Sequence, residues 1–114
     1  MNECIFCRIV NKEVGSDIVE ERPSAIAFRD INPQAPVHIL VVPREHIQRL
    51  SDLGRDKCDV LTEIFQLIND IAVSEGISQT GYRVVVNVGE EAGQAVDHLH
   101  FHLLGGRFMK WPPG

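Results

Sequence analysis

Apolar residues along the chain recur at two spacings, one typical of helices and one typical of strands. Steps of three and four residues predict a short helix near residues 5–12 and one long helix from Ser51 to Glu75. Gly76 follows the long apolar pattern directly, at a place where glycine commonly ends a helix. The sequence therefore predicts two helices, one short and one long.

Short apolar runs bounded by turn residues predict the strands, two of them around a turn at Arg22 and Pro23. The helices and strands neither alternate strictly nor separate into a sandwich. This order predicts an α+β fold, in which an antiparallel sheet of about five strands carries its helices on one face. No repeat or long linker divides the chain, so we expect one domain over residues 1–114. The predicted strands are residues 17–21, 25–31, 37–43, 82–89 and 98–104.

Composition narrows the classes of partner. With 114 residues, 44% of them hydrophobic, the chain has enough apolar material for one core. It contains no run of roughly 18–20 apolar residues that would span a membrane, and no export signal at its start, so we expect a cytoplasmic protein. A formal net charge of −5 argues against nucleic acid and membrane partners. Any anionic ligand must therefore be held by a local site.

The segment HLHFHLL, residues 98–104, places three histidines on alternate positions. On a strand, His98, His100 and His102 would share one face at intervals of about 6.5–7 Å, while the residues between them face the core. Histidine is an uncommon choice for a merely solvent-facing edge, which favours two functional interpretations. Either two or three imidazoles bind a catalytic metal, or one imidazole attacks phosphorus while its neighbours hold phosphate oxygens.

The loop before the histidines, GEEAGQAVD, favours a phosphate site. Gly89 and Gly93 permit unusual backbone angles and let main-chain amides approach a ligand closely. Asn87 and Gln94 add neutral amide donors. A hydrolytic zinc site would instead need further carboxylate or histidine ligands nearby.

Three stretches together resemble one known family. NPQAPVHILVVPREH, NVGEEAGQAVDHLHFHLLGGR and the terminal WPPG are similar, in order and over nearly the whole chain, to the histidine triad (HIT) superfamily. The resemblance is to its Hint branch of purine nucleoside phosphoramidases. It implies a homodimer whose sheets join into one continuous sheet, with a purine nucleotide such as AMP bound in each protomer.

The resemblance also implies roles for residues of this chain. His100 would attack the α-phosphorus of an adenosine 5′-phosphoramidate or acyl adenylate, and water would hydrolyse the nucleotidyl-histidine to release AMP. His102 and Asn87 would bond the phosphate, and Asp30 would accept from the ribose hydroxyls. No organic cofactor is implied. The other implied nucleotide-binding residues are the phosphate segment Gly93, Gln94, Ala95 and Val96 and an apolar slot for the base, Ile5, Phe6, Ile9, Phe28, Ile31 and Leu40.

Two positions depart from the pattern of that branch. Ala95 stands where Hint enzymes commonly carry a serine near the phosphate and the leaving group. Losing one such donor would cost about 1–3 kcal/mol of transition-state stabilisation, which slows the reaction about tenfold to a hundredfold. Asp97 stands at a position that is often aromatic, and we expect it opposite the histidines, where it changes packing more than chemistry.

The cysteines suggest a second site. Two of them form a C-x-x-C pair near the start of the chain, and two histidines outside the reacting pair complete the ligands of a closed, structural zinc site. HIT relatives that carry this pair look like zinc binders through the same four positions. A redox pair is a weaker alternative, because no strand can precede the first cysteine, and a pair of thiols without a metal is another. Cys58, on the long helix, is expected in the core. The predicted zinc ligands are Cys4, Cys7, His46 and His98.

Several assignments stay open at this point. A HIT-type hydrolase is the first hypothesis, and Ala95 keeps a nucleotide-binding regulator with little turnover as an alternative. A metallohydrolase with His98 and His100 as catalytic zinc ligands is a third. His38 is either a buried partner that orients the histidines or a satisfied core residue. The tail that bears Trp111 either shapes the partner's site in a dimer or frays.

Overall fold

The structure is a computed structural model that describes residues 3–114. Five strands form one antiparallel sheet in the order β1-β2-β3-β5-β4. None of the helices within residues 3–114 is long and apolar enough to cross a membrane. The elements are α1 (Ile5–Val10), β1 (Ile18–Glu21), β2 (Ala25–Arg29), β3 (Val37–Pro43), α2 (Cys58–Ser74), β4 (Tyr82–Val86) and β5 (Phe101–Gly105). The prediction of an α+β fold with five antiparallel strands, one short and one long helix is confirmed.

The two helices lie on opposite faces of the sheet, so the prediction that both cover one face is wrong. All seven residues of β3 are buried, which requires cover on both sides of the strand. Alternate residues of β2 and β3 pack into two separate clusters, one under α2 and one under α1. The α2 cluster contains Ala25, Ala27, Ile39, Val41, Ile64, Leu67, Ile68 and Ile71, and the α1 cluster contains Phe6, Ile9, Ile26, Phe28, Leu40 and Val42.

Helix α2 begins at Cys58 rather than at Ser51. The segments Leu50–Asp52 and Arg55–Lys57 form two separate 3₁₀ turns instead. Gly54 joins them in an extended conformation, with φ −76° and ψ 164°, which interrupts the helical hydrogen-bond pattern. Cys58 is exposed at this new helix start, so its predicted place in the core is also wrong.

The predicted end of α2 is confirmed. Gly76 follows the helix with φ +75°, and its N–H donates to the carbonyl oxygen of Val73 at 3.1 Å. A side chain at this φ would be strained, which explains the glycine.

Strand β5 starts at Phe101, three residues later than predicted. His98 and His100 therefore lie in the segment that approaches the strand, yet the alternation persists. Leu99, Phe101 and Leu103 pack in the α2 cluster, while the histidine side chains lie on the α1 face.

Candidate functional site

A cavity of about 390 Å³ opens on the α1 face of the sheet, beside the histidines. Its wall is mainly apolar, as expected for a site that holds a planar base. Ile31 lies at its rim and is fully exposed, because β2 ends two residues earlier. Eleven predicted nucleotide-binding residues line the cavity: Ile5, Phe6, Ile9, Phe28, Asp30, Ile31, Leu40, Ala95, Val96, His100 and His102.

Three other predicted ligands do not line this cavity: Asn87, Gly93 and Gln94. The Gln94 side chain instead holds its own loop together. Its Oε1 accepts from the N–H of Gly89 at 3.0 Å, and its Nε2 donates to the carbonyl oxygens of Gln48 and Val96 at 2.8 and 3.0 Å. Gly93 has φ +82°, the unusual backbone angle for which glycine is suited. Direct phosphate contacts from these residues stay a prediction.

Four residues that the sequence analysis missed complete the wall: Val14, Gly15, Ser16 and Arg29. The first three belong to the connection between α1 and β1, where no periodic pattern indicates which side chains turn inward. Arg29 donates to both carboxylate oxygens of Glu75, at 2.9 and 3.0 Å, so this guanidinium is already neutralised. The same hydrogen bonds hold the pKa of Glu75 below its usual value.

The His100 ring has a defined tautomer. Its Nδ1 lies 2.8 Å from the carbonyl oxygen of His98. Because a carbonyl can only accept, Nδ1 carries the proton of the neutral ring and Nε2 keeps a lone pair. The ring of Phe6 packs edge-on against it with the centroids 5.1 Å apart. The side chain is buried, and its unprotonated nitrogen is the one available for attack.

His102 has the opposite tautomer, which a chain of hydrogen bonds selects. The N–H of Gln34 donates to Nδ1 of His38 at 3.0 Å, so His38 carries its proton on Nε2. This Nε2 donates to Nδ1 of His102 at 2.9 Å. His102 is thereby left with a proton on Nε2, as a donor. His38 is buried and bonds directly to His102, which favours the interpretation of His38 as the partner that orients the histidines.

Burial keeps this pair of rings neutral. Burial, with smaller contributions of the same sign from the neighbouring His100 and His38 and an opposing one from Asp30, lowers the pKa of His102 to about 4. Burial also lowers the pKa of His38, against the opposing effect of Asp30, whose Oδ2 lies 3.4 Å from Nε2. Near neutral pH both rings therefore hold the tautomers that their hydrogen bonds select.

A second cluster lies on the other side of His98. We call Cys4, Cys7, His46 and His98 the Cys/His group, and its four ligand atoms lie within 4.8 Å of one another. Nδ1 of His98 lies 3.4 Å from Sγ of Cys4 and 3.5 Å from Sγ of Cys7. Nδ1 of His46 lies 3.2 Å from Sγ of Cys7. These separations are close to the roughly 3.5 Å between sulfur and nitrogen ligands of one tetrahedral zinc ion.

The tautomer of His98 also fits a metal ligand. Its Nε2 donates to the carbonyl oxygen of Pro43 at 2.9 Å, so the lone pair is on Nδ1, facing the thiols. The ring is fully buried, and burial lowers its pKa. The Cys/His group can therefore bind a metal through two sulfurs and two nitrogens.

The metallohydrolase alternative finds no support in this geometry. Within residues 3–114, no cluster of three or more possible metal ligands contains both His98 and His100. Asp30, His38 and His102 do lie close together. The two rings, however, share a direct hydrogen bond of 2.9 Å, and we interpret these three residues as a hydrogen-bonded chain.

The two departures from the Hint pattern lie on the surface around these clusters. Ala95 lines the cavity and offers no hydroxyl there. Asp97 is exposed and borders a neighbouring depression of about 570 Å³, together with Cys4 and His46. Its predicted effect on packing is therefore wrong, because its side chain faces solvent beside the Cys/His group.

Comparisons with known proteins agree with this site and fold. The HIT domain family model matches residues 11–109. An uncharacterized HIT-like protein of Synechococcus elongatus is 46% identical over 112 residues, which are 98% of this chain and 97% of that protein. A HIT family hydrolase from Legionella pneumophila has 46% identity and a TM-score of 0.96, over 98% of this chain and 100% of that one. A histidine triad protein from Clostridium difficile has 44% identity and a TM-score of 0.93, over 96% of each chain.

A fold with a triad of histidines beside an apolar cavity defines a HIT-type hydrolase-like protein. The chain belongs to the HIT domain family.

Proposed function

We propose that the protein hydrolyses the phosphoramidate or acyl-phosphate bond of purine nucleoside 5′-monophosphate derivatives and releases AMP or its purine equivalent. The observation that carries this proposal is that two neighbouring imidazole rings have opposite tautomers. His100 offers a lone pair, and His102 offers an N–H, to the same cavity. Displacement at the phosphorus of a phosphoramidate or acyl phosphate requires a nucleophile to attack and a nearby hydrogen-bond donor to stabilise the phosphate oxygens.

In the first step, Nε2 of His100 forms a bond to phosphorus and the bond to the amine or acyl oxygen breaks. The leaving group departs with that electron pair, and an amine takes up a proton from solvent, since Ala95 has no hydroxyl to give. The carbonyl of His98 stabilises the positive charge that develops on the His100 ring, through the hydrogen bond from Nδ1. His102 donates its Nε2–H to a phosphate oxygen.

In the second step, water attacks the same phosphorus and the bond to His100 breaks. The water gives one proton to solvent, and the ring recovers its lone pair. Neutral imidazole is a good leaving group from the nucleotidyl-imidazolium, so water can open this intermediate. The nucleoside would be held by the apolar wall around the base and by Asp30. Its carboxylate is 20% exposed and accepts from the N–H of Asn32 at 2.8 Å, leaving further lone pairs for ribose hydroxyls.

We further propose that the Cys/His group binds zinc. Two thiolates and two imidazoles form a closed set with no position for water, so the metal would supply stability rather than chemistry. The redox alternative is disfavoured, because two histidine nitrogens face the sulfurs.

A homodimer is the third part of the proposal. β4 forms one edge of the sheet, with its backbone paired to β5 on one side only. A second copy of the same edge could continue the sheet, as the family resemblance implies. Exposed aromatic side chains lie on this edge and in the tail beyond β5, namely Tyr82, Phe108 and Trp111. A second copy could bury them.

A single-turnover incubation tests the chemistry. Protein in excess over adenosine 5′-phosphoramidate labelled at phosphorus should carry label transiently, and the label should leave as AMP. His100→Ala should neither carry label nor release AMP. Persistent activity in that variant would exclude His100 as the nucleophile.

One observation favours a second function, a purine-nucleotide-binding regulator with little turnover. Ala95 lines the cavity at a position where a hydroxyl would assist the leaving group. In that case the wild-type protein binds AMP. In the same incubation it carries no label, and it releases AMP no faster than His100→Ala does.

A further inference from the structure

We propose that the Cys/His group positions the nucleophile His100, acting through the main-chain carbonyl of His98. This inference rests on the proposed function for its kinetic test. The group and the active site share one residue, His98, whose ring belongs to the former and whose carbonyl oxygen belongs to the latter. The two sites are therefore joined by a covalent link rather than by a long chain of contacts.

Both ring nitrogens and the carbonyl oxygen of His98 take part in the link between the two sites. Nδ1 faces the sulfurs of Cys4 and Cys7, and Nε2 donates to the carbonyl oxygen of Pro43 at 2.9 Å. The carbonyl oxygen accepts from Nδ1 of His100 at 2.8 Å. With the ring held at both nitrogens and fully buried, the orientation of the following peptide is restricted. That peptide carries the oxygen that selects the tautomer of His100.

Two neighbouring contacts reinforce the link. The N–H of Leu99 donates to the carbonyl oxygen of Ile47 at 2.7 Å, so the residues after His98 and His46 are joined to each other. Phe6 lies between the two cysteines in the sequence, and its ring packs edge-on against both His98 and His100, with centroids 5.8 and 5.1 Å away. Residues next to the Cys/His group thus contact both the chain before the nucleophile, through Ile47, and the ring of the nucleophile, through Phe6.

Loss of the group should act on the chemistry more than on binding. If the His98 carbonyl can rotate, Nδ1 of His100 loses its acceptor and the ring is no longer restricted to one tautomer. The tautomer with its proton on Nε2 cannot attack phosphorus. The cavity wall that contacts the nucleoside is formed mainly by other residues, so affinity for AMP should change little. Groups that orient a functional histidine typically contribute about tenfold to a hundredfold.

The test uses His46→Ala as the main variant, because His46 is exposed and its removal leaves no cavity in the core. Cys4→Ser is the second variant, and Cys58→Ser, an exposed cysteine outside the group, is the matched control. Each full-length protein is assayed well below its melting temperature for single-turnover rate and for AMP dissociation constant. Proton–nitrogen NMR of histidine labelled with ¹⁵N reports the tautomer of His100, assigned by comparison with His100→Ala.

We expect the chemical step of His46→Ala and Cys4→Ser to slow about tenfold or more, with AMP affinity unchanged and a mixture of tautomers at His100. Cys58→Ser should match the wild type in all three. A folded His46→Ala protein with the wild-type rate, or with a slower rate but a single tautomer, would overturn the inference. A lower melting temperature alone would also overturn it, because it would show a purely structural role.

The NMR measurement needs no substrate, so it separates this inference from the proposed function. If the wild-type protein shows no turnover, the proposed function fails, and the tautomer of His100 in His46→Ala still decides whether the group positions it.

Discussion

The cost of protonating His102 in the folded protein should lower the stability of the fold in mild acid. Burial lowers the pKa of this ring from an ordinary value of 6.5 to about 4, and the groups that face it are His100, His38 and Asp30. The unfolded chain binds a proton here below about pH 6.5, whereas the folded protein binds it only below about pH 4. The contribution to stability is therefore complete above pH 6.5 and is lost as the pH falls toward 4.

The pKa difference sets the size of this effect. At about 1.4 kcal/mol for each pH unit, the window between 6.5 and about 4 corresponds to at most about 3.5 kcal/mol. His102 lines an open cavity, where water reduces the desolvation cost, so we expect about 1–3 kcal/mol. His38 should add to the loss with the same sign, because its pKa is lowered too.

The assay is urea unfolding at pH 7.5, 5.5 and 4.5, on the wild type and on His102→Gln, which keeps a polar side chain but does not titrate in this range. Carboxylate protonation and the loss of any bound metal affect both proteins, so the difference between their free energies of unfolding isolates His102. That difference should shrink by about 1–3 kcal/mol between pH 7.5 and 4.5. A difference that is constant with pH would refute the reasoning.

Four other outcomes follow from the site. His100→Ala should lose all detectable hydrolysis of adenosine phosphoramidate while its AMP dissociation constant, from calorimetry, stays within about an order of magnitude. Ala95→Ser should raise the rate with amine leaving groups about tenfold or more, and an unchanged rate would show that the missing hydroxyl is not limiting. Protein purified without chelator should contain about one zinc per chain by elemental analysis, and Cys4→Ser should contain none and melt at a lower temperature. Deleting Lys110–Gly114 should leave AMP binding intact but change the ratio of kcat/KM for a small and a bulky amine, whereas an equal ratio would indicate a tail outside the site.

The sequence predicts most of the secondary structure, because most of it depends on local pattern. β3 has the predicted bounds, 37–43, since an unbroken apolar run cannot remain in solvent. The same run hides which face each residue occupies, and for that reason the placement of both helices on one face was wrong. The start of α2 was wrong for another reason: the apolar spacing continues across Gly54, whereas the hydrogen bonds there form two 3₁₀ turns.

The site was predictable where residue type alone carries the information. Three histidines at alternate positions and a C-x-x-C pair mark two candidate sites without any structure, although the residues alone left both metal binding and attack at phosphorus open for the histidines. The tautomers could not be predicted, because they depend on contacts between residues far apart in sequence, such as His38 and His102, 64 positions from each other. Ser16 was missed because a single serine in a connecting loop has no pattern around it.

Helix α1, only six residues long, belongs to two sites at once. Ile5, Phe6 and Ile9 line the cavity beside the histidines, while Cys4 caps the same helix and Cys7 lies within it, both in the Cys/His group. A substitution that tilts α1 would therefore shift two sulfurs together with three residues of the cavity wall, so a change in the proposed base pocket also changes the geometry of the proposed metal site. The family match begins at residue 11, just after this helix. A protein trimmed to the matched range would keep the histidine triad but lose three residues of the cavity wall and two of the four residues of the Cys/His group.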